Sequence, residues 1–157
     1  MLNFVLIHGS WHTGEHWAPV INHLKSKGHA AFAPTVLGHG KGVEKRVNHL
    51  QQVKDLVQQI ERQNIRDFIA VGHSYGGTVI PRLAEEIPDR IRRLVFWNAF
   101  LPERGHSLND EVPPPFYPKA DLYLAAIGEV RCSSAMKRDR TSAVPSVADL
   151  FVVVLAN

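Results

Sequence analysis

Val71-Gly72-His73-Ser74-Tyr75-Gly76-Gly77 joins an apolar run, Phe68-Ile69-Ala70-Val71, to a helical pattern that begins near Tyr75. Between strand and helix lies Gly-x-Ser-x-Gly, the spacing of a nucleophile elbow. The glycines have a steric reason. A serine on a sharp strand-to-helix turn holds strained dihedrals, and a Cβ at Gly72 or Gly76 would crowd the turn. Such a turn lifts the hydroxyl above the sheet edge, beside the unpaired N–H groups of the following helix. The bare motif also arises by chance in ordinary glycine-rich turns. Here the strand before it, the helix after it and the third glycine, Gly77, favour the elbow.

Working outward, Phe4-Val5-Leu6-Ile7 is an unbroken apolar run, read as a strand buried on both faces. A polar, glycine-rich loop follows, His8-Gly9-Ser10-Trp11-His12-Thr13-Gly14. Apolar spacing of three and four through Trp17, Val20, Ile21 and Leu24 predicts a helix over residues 15–27, stopped by Gly28. Residues 30–33 read as a second buried strand, closed by Pro34, with a loop over residues 35–42. Val43, Val47, Leu50, Val53, Val57 and Ile60 form one apolar stripe on the next expected helix. The helix after the elbow carries Val79, Ile80, Leu83 and Ile87. Pro81 is expected to kink it, and Pro88 to end it. Residues 91–97 form a fourth strand. Four strands joined by crossover helices specify an α/β fold with a parallel sheet. In such sheets ligands bind beyond the carboxyl ends of the strands. Those ends carry His8 to Trp11, Pro34 to Leu37, His73 to Tyr75 and Asn98 to Phe100, so the motifs fall on one rim.

The 157 residues suit one domain, and the hydrophobic (45%) and charged (21%) fractions are those of a soluble globular protein. A net charge of +3 comes from scattered basic residues, without the stripe expected of a nucleic-acid binder. No apolar run is long enough to span a membrane, and the start reads as a strand rather than a signal peptide. The single cysteine, Cys132, suits a reducing compartment, so a cytoplasmic location is expected. His8, His12, His16 and His39 lie close in sequence, but nearby acids complete no ligand set of known spacing, and neither metal nor cofactor is expected. Gly38-His39-Gly40-Lys41-Gly42 lacks the terminal Lys-Ser/Thr of a phosphate loop and reads as a rim loop.

His8-Gly9-Ser10-Trp11-His12 after the first strand, Gly72-His73-Ser74-Tyr75-Gly76-Gly77, and the strand running into Asn98-Ala99-Phe100-Leu101-Pro102 together resemble the α/β-hydrolase superfamily. More narrowly, they resemble the branch of plant methylesterases, hydroxynitrile lyases and related small bacterial esterases, over about residues 3–118. The resemblance implies that Ser74 is a nucleophile attacking small ester substrates. It implies an oxyanion hole from the backbone N–H groups of Ser10 and Tyr75. Gly9, Trp11, His12 and His73 would line the substrate pocket. Where bacterial relatives carry Asp at the Asn98 position, the neutral amide cannot stabilise an imidazolium.

In this fold the partners of the serine follow it in the order acid, then histidine. Of nine histidines only His106 follows Ser74. It is the candidate base, with Asp110 or Glu111 beside it. Residues 1–128 read as the hydrolase core, with a cap starting near 103, and residues 129–157 as an atypical tail. A helix is expected over residues 121–127, and residues 150–155 read as one more strand or a sticky tail. The sheet is expected to be incomplete at its C-terminal end. Three readings stand side by side: a truncated or frame-shifted esterase; a chain completed by a second copy, as a homodimer through an exposed sheet edge; or an active enzyme with His106 as an improvised base. By function, the alternatives to an esterase are a hydroxynitrile lyase and a non-catalytic binding remnant.

Overall fold

The computed structural model describes residues 1–102, 106–111 and 151–155. Five parallel strands form one sheet in the order β2-β1-β3-β4-β5. They are β1 (Asn3–Ile7), β2 (Ala30–Phe32), β3 (Phe68–Ser74), β4 (Ile91–Ala99) and β5 (Phe151–Leu155). The helices are α1 (Ala18–Ser26), α2 (His49–Arg62), α3 (Gly76–Glu86) and the single turn α4 (Leu108–Glu111).

Register divides the sheet into two faces. Ile7, Gly72 and Phe96 lie side by side across β1, β3 and β4. On this face Val5, Ile7, Phe68, Ala70, Leu94 and Phe96 pack with Val53, Leu56 and Ile60 of α2 and with Val79, Ile80, Leu83 and Ala84 of α3. Each such aliphatic side chain, taken fully out of water, contributes about 2 kcal/mol. Leu6, Val71 and Val95 lie together on the other face, where Val71 and Val95 are only half-buried. The expectation of strands buried on both faces therefore holds for Val5 to Ile7 of β1, with Phe4 half-buried, but not throughout. It fails most clearly for β2, which is an edge strand of three residues with Ala30 exposed. β2 also ends at Phe32, before Ala33.

Two helix starts differ from the periodicity. Residues Gly14–Trp17 wind as a 3₁₀ turn, and α1 begins only at Ala18, with Pro19 in its first turn. The backbone packs too closely there for anything larger than glycine: a Cβ on Gly14 would stand 2.1 Å from Ala33 O. α2 begins at His49, not near Val43. Asn48 and Gln51 exchange side-chain to backbone hydrogen bonds, Gln51 N–H to Asn48 Oδ1 at 2.9 Å and Asn48 N–H to Gln51 Oε1 at 2.8 Å, a capping box that sets the first turn. Val43 and Val47 therefore belong to the preceding loop. Val47 packs there on Gly38, and Lys45 Nζ donates to Gly38 O at 2.9 Å.

α3 runs unbroken from Gly76 to Glu86 with Pro81 inside it, and Pro88 follows its end as expected. β5 pairs in register with β4, Arg93 opposite Phe151 through Trp97 opposite Leu155, so residues 151–155 form a strand. The helix expected over residues 121–127 lies outside the described residues. No helix among the described residues is long and apolar enough to cross a membrane.

Candidate active site

β3 delivers Ser74 to the rim with φ +52°, a left-handed conformation that a non-glycine residue adopts at a cost of about 1–3 kcal/mol. The three flanking glycines explain how the turn closes. A Cβ on Gly72 would meet Gly76 O at 2.6 Å; one on Gly76, Ile7 O at 2.6 Å; one on Gly77, Phe100 O at 2.3 Å. Strand β1, the first turn of α3 and the end of β4 thus press on the elbow from three sides. On the β4 side, Trp97 pairs with His73 and Ala99 with Ser74, leaving Asn98 as a bulge at φ +44°. Phe100 N–H then donates to Ser74 O at 3.1 Å.

From β1 the chain passes directly over the serine. A Cβ on Gly9 would lie 3.0 Å from Ser74 Cβ, 3.3 Å from Ser74 Oγ and 3.5 Å from His73 Nδ1. Only a glycine lets this backbone approach the hydroxyl so closely. A turn closed by His12 N–H to Gly9 O, at 3.2 Å, carries Ser10 and Trp11. Ser10 is half-buried, and Trp11 and His12 are exposed. Tyr75 caps the N-terminus of α3, where backbone N–H groups have no intrahelical partner.

His8 braces the β1 loop. Val36 N–H donates to its Nε2 at 3.0 Å, so the ring proton sits on Nδ1, which donates to Gly9 O at 2.8 Å. Both nitrogens are used, which leaves His8 no lone pair for a metal. Burial lowers its pKa from 6.5 to about 4, and the nearby His39 adds to this. His39 and His49 are lowered too, burial again first, and His73 in the same direction through burial and then His12. These imidazoles are neutral in the folded protein and take up protons more readily when it unfolds. Stability is therefore complete above pH 6.5 and falls as pH drops toward 4, with about 3 kcal/mol from His8 alone. Urea unfolding at pH 7.5 and 4.5 tests this; equal stabilities at the two values would contradict it.

His73, Trp17 and Trp97 form an aromatic wall beside the elbow, with ring centroids 5.3 to 6.4 Å apart, and His12 reaches His73 at 6.3 Å. Trp17 is buried in it, while Trp97 is 40% exposed at the rim.

The structure thus brings Gly9, His73 and Ser74 together and sets Ser10 and Tyr75 on the flanking backbone. It does not bring in the base. His106 is exposed, and Ser74 Oγ has no hydrogen-bonded imidazole among the described residues. His106 lies near Asp110, whose carboxyl is held below the usual range chiefly by bonds from Ser107 Oγ and N–H, with His106 adding a smaller effect.

Sequence reasoning missed Gln52. Its side chain is buried behind the elbow and joins the Tyr75 hydroxyl to Leu37 O. The available signal is a polar residue on the apolar face of α2, one position before Val53 and one turn before Leu56.

A family model described as "Alpha/beta hydrolase family" matches residues 4–153. The carbendazim-hydrolyzing esterase of Nocardioides sp. (strain SG-4G) is 36% identical over 157 residues, covering 98% of this chain and 64% of that protein. Methylesterase 1 of Arabidopsis thaliana is 28% identical over 110 residues, covering 67% and 42%. Among solved structures, an extracellular alpha/beta-hydrolase from a Paenibacillus species, described as sharing structural and functional homology with tobacco salicylic acid binding protein 2, superposes with a TM-score of 0.71. It is 41% identical, covering 74% of this chain and 48% of that one. The chain therefore spans under two thirds of the length of the relatives it matches.

Proposed function

The chain belongs to the alpha/beta hydrolase family, and from that premise we propose that it is a carboxylesterase-type serine hydrolase acting on small esters through Ser74. One observation carries the proposal: Gly9 stands so near a Ser74 held at positive φ that a Cβ on it would lie 3.3 Å from Oγ. The backbone amides of Ser10 and Tyr75 follow directly on the two segments that meet at Oγ, which supports attack on a carbonyl there. In the proposed reaction Ser74 Oγ attacks the ester carbonyl, and its proton passes to a base. The negative oxygen of the tetrahedral intermediate is held by the N–H groups of Ser10 and Tyr75, each worth about 3 kcal/mol in the barrier. The alcohol leaves with a proton, and water then releases the acid from the acyl-serine. Gly9, Trp11, His12 and His73 border the space for the substrate.

His106, near Asp110, is the candidate base in this proposal, without a hydrogen bond to Ser74 Oγ among the described residues and in an order, histidine then acid, that departs from the family's pattern. Residues 1–128 are taken as the hydrolase core, with a substrate-selecting cap from about 103, and residues 129–157 as an atypical tail whose segment 151–155 adds β5 to the sheet. The three-residue edge strand β2 leaves N–H and C=O groups to which a second copy could pair. The lone cysteine fits a cytoplasmic setting.

Hydrolysis of p-nitrophenyl acetate tests the reading. Because no imidazole among the described residues is bonded to Ser74 Oγ, turnover is expected below about 0.01 s⁻¹, far under the usual enzyme range of roughly 10 s⁻¹. His106→Ala is expected to lower it further; an unchanged rate would remove His106 as base. Faster cyanide release from mandelonitrile would instead support a lyase. Concentration-dependent self-association with no ester turnover would support a binding remnant.

A further inference from the structure

The side chain of Tyr75 runs into the core, away from the substrate side of the elbow. It is fully buried, and its hydroxyl donates to Gln52 Oε1 on α2. Gln52 Nε2 donates to Leu37 O at 3.0 Å. A carbonyl oxygen only accepts, so this bond fixes the amide and turns Oε1 toward the phenol. Around the ring, His39 stacks at 5.7 Å and 28°, and His49 presents an edge at 6.4 Å. The loop before α2, α2 itself and the elbow are thereby tied at one side chain.

An apolar pair of similar volume would fill the same space without burying a hydroxyl and an amide and would leave only Leu37 O, on an exposed residue, without its donor; such paired replacements are often near neutral for stability. The polar pair therefore points to a need for orientation. The N–H of residue 75 belongs to the peptide that joins it to Ser74, and the plane of that peptide turns with ψ of Ser74 and φ of Tyr75. Holding the Tyr75 side chain opposes the rotation.

We propose that Gln52 is a positioning residue which, through the Tyr75 hydroxyl, fixes the direction of the Tyr75 backbone N–H that binds the oxyanion. This rests on the reading of Ser74 as nucleophile and Tyr75 as oxyanion donor. The proposal concerns reactivity per folded molecule and so separates from a purely structural role.

The test is the kinetics of phosphonylation by a fluorophosphonate in wild type, Tyr75→Phe, and the double variant Gln52→Met with Tyr75→Phe. Thermal unfolding of each is followed by circular dichroism. The double variant is expected to melt near wild type, with the maximal inactivation rate about tenfold lower and the half-saturating probe concentration within about twofold of wild type. A folded double variant that reacts at the wild-type rate would overturn the proposal. Should the double variant fail to fold, Tyr75→Phe alone must show the same fall, and a wild-type rate there overturns it equally. A wild type that is not labelled, or labelling that survives Ser74→Ala, defeats the Ser74 reading itself, and the proposal with it.

Discussion

Ser74→Ala is expected to abolish labelling by a fluorophosphonate while leaving the fold intact, and Ser74→Gly is expected to do the same with a gain in stability. The two substitutions separate chemistry from backbone strain. Both remove Oγ, the atom that would bond to phosphorus, so the expected loss is complete to the limit of detection. At φ +52° a Cβ is unfavourable, and glycine relieves that cost, which is worth about 1 kcal/mol. The gain is reduced by the larger entropy of glycine in the unfolded chain. A serine kept on such a turn is thus held against the local preference of the backbone, as expected where the strain serves to expose the hydroxyl. Undiminished labelling of either variant would place the reactive group elsewhere, and a Ser74→Gly variant much less stable than wild type would contradict the strain argument.

The second large effect falls on the scaffold. Gly76→Ala is expected to cost about 3 kcal/mol, about 10 °C in melting midpoint for a domain of this size. The new Cβ would lie 2.6 Å from Ile7 O and 3.1 Å from His8 O, and both are backbone atoms of the central strand region that cannot swing aside. Alanine's better helix propensity returns at most about 1 kcal/mol at this first helical position. Gly28→Ala is the matched control. Gly28 has φ +79° but open space around its Cβ position, so only the left-handed strain applies, about 1 kcal/mol. Equal melting points for Gly76→Ala and Gly28→Ala would show that the elbow is not packed as described.

The contrast between these glycines also explains what was legible in the sequence. The continuous apolar runs at β1, β3 and β4 admit few alternatives to strands, and Gly72, Gly76 and Gly77 mark the elbow because their reason is local. The start of α2 was obscured by Val43 and Val47, which continue the helical period by chance into a loop. The Asn48-x-x-Gln51 box that sets the true start is visible in the sequence, but it is a weaker signal than the stripe. β2 looked buried from its composition, and its edge position depends on strand order, which no local pattern encodes. The roles of His8 and Gln52 were hidden for a related reason. Their partners, Val36 and Tyr75, are 28 and 23 residues away. A histidine that serves as a neutral strut and one that serves as a base are alike in sequence and differ only in what their nitrogens meet. The base illustrates this: order along the chain singles out His106, while the elbow's own geometry is complete without it.

The most direct measurement is mass spectrometry of the wild-type chain after reaction with a fluorophosphonate, first intact and then as peptides. The account predicts a single phosphonyl addition, carried on Ser74 within the Gly72-His73-Ser74-Tyr75-Gly76 sequence. An adduct on any other residue, or no adduct on a folded protein, would contradict it.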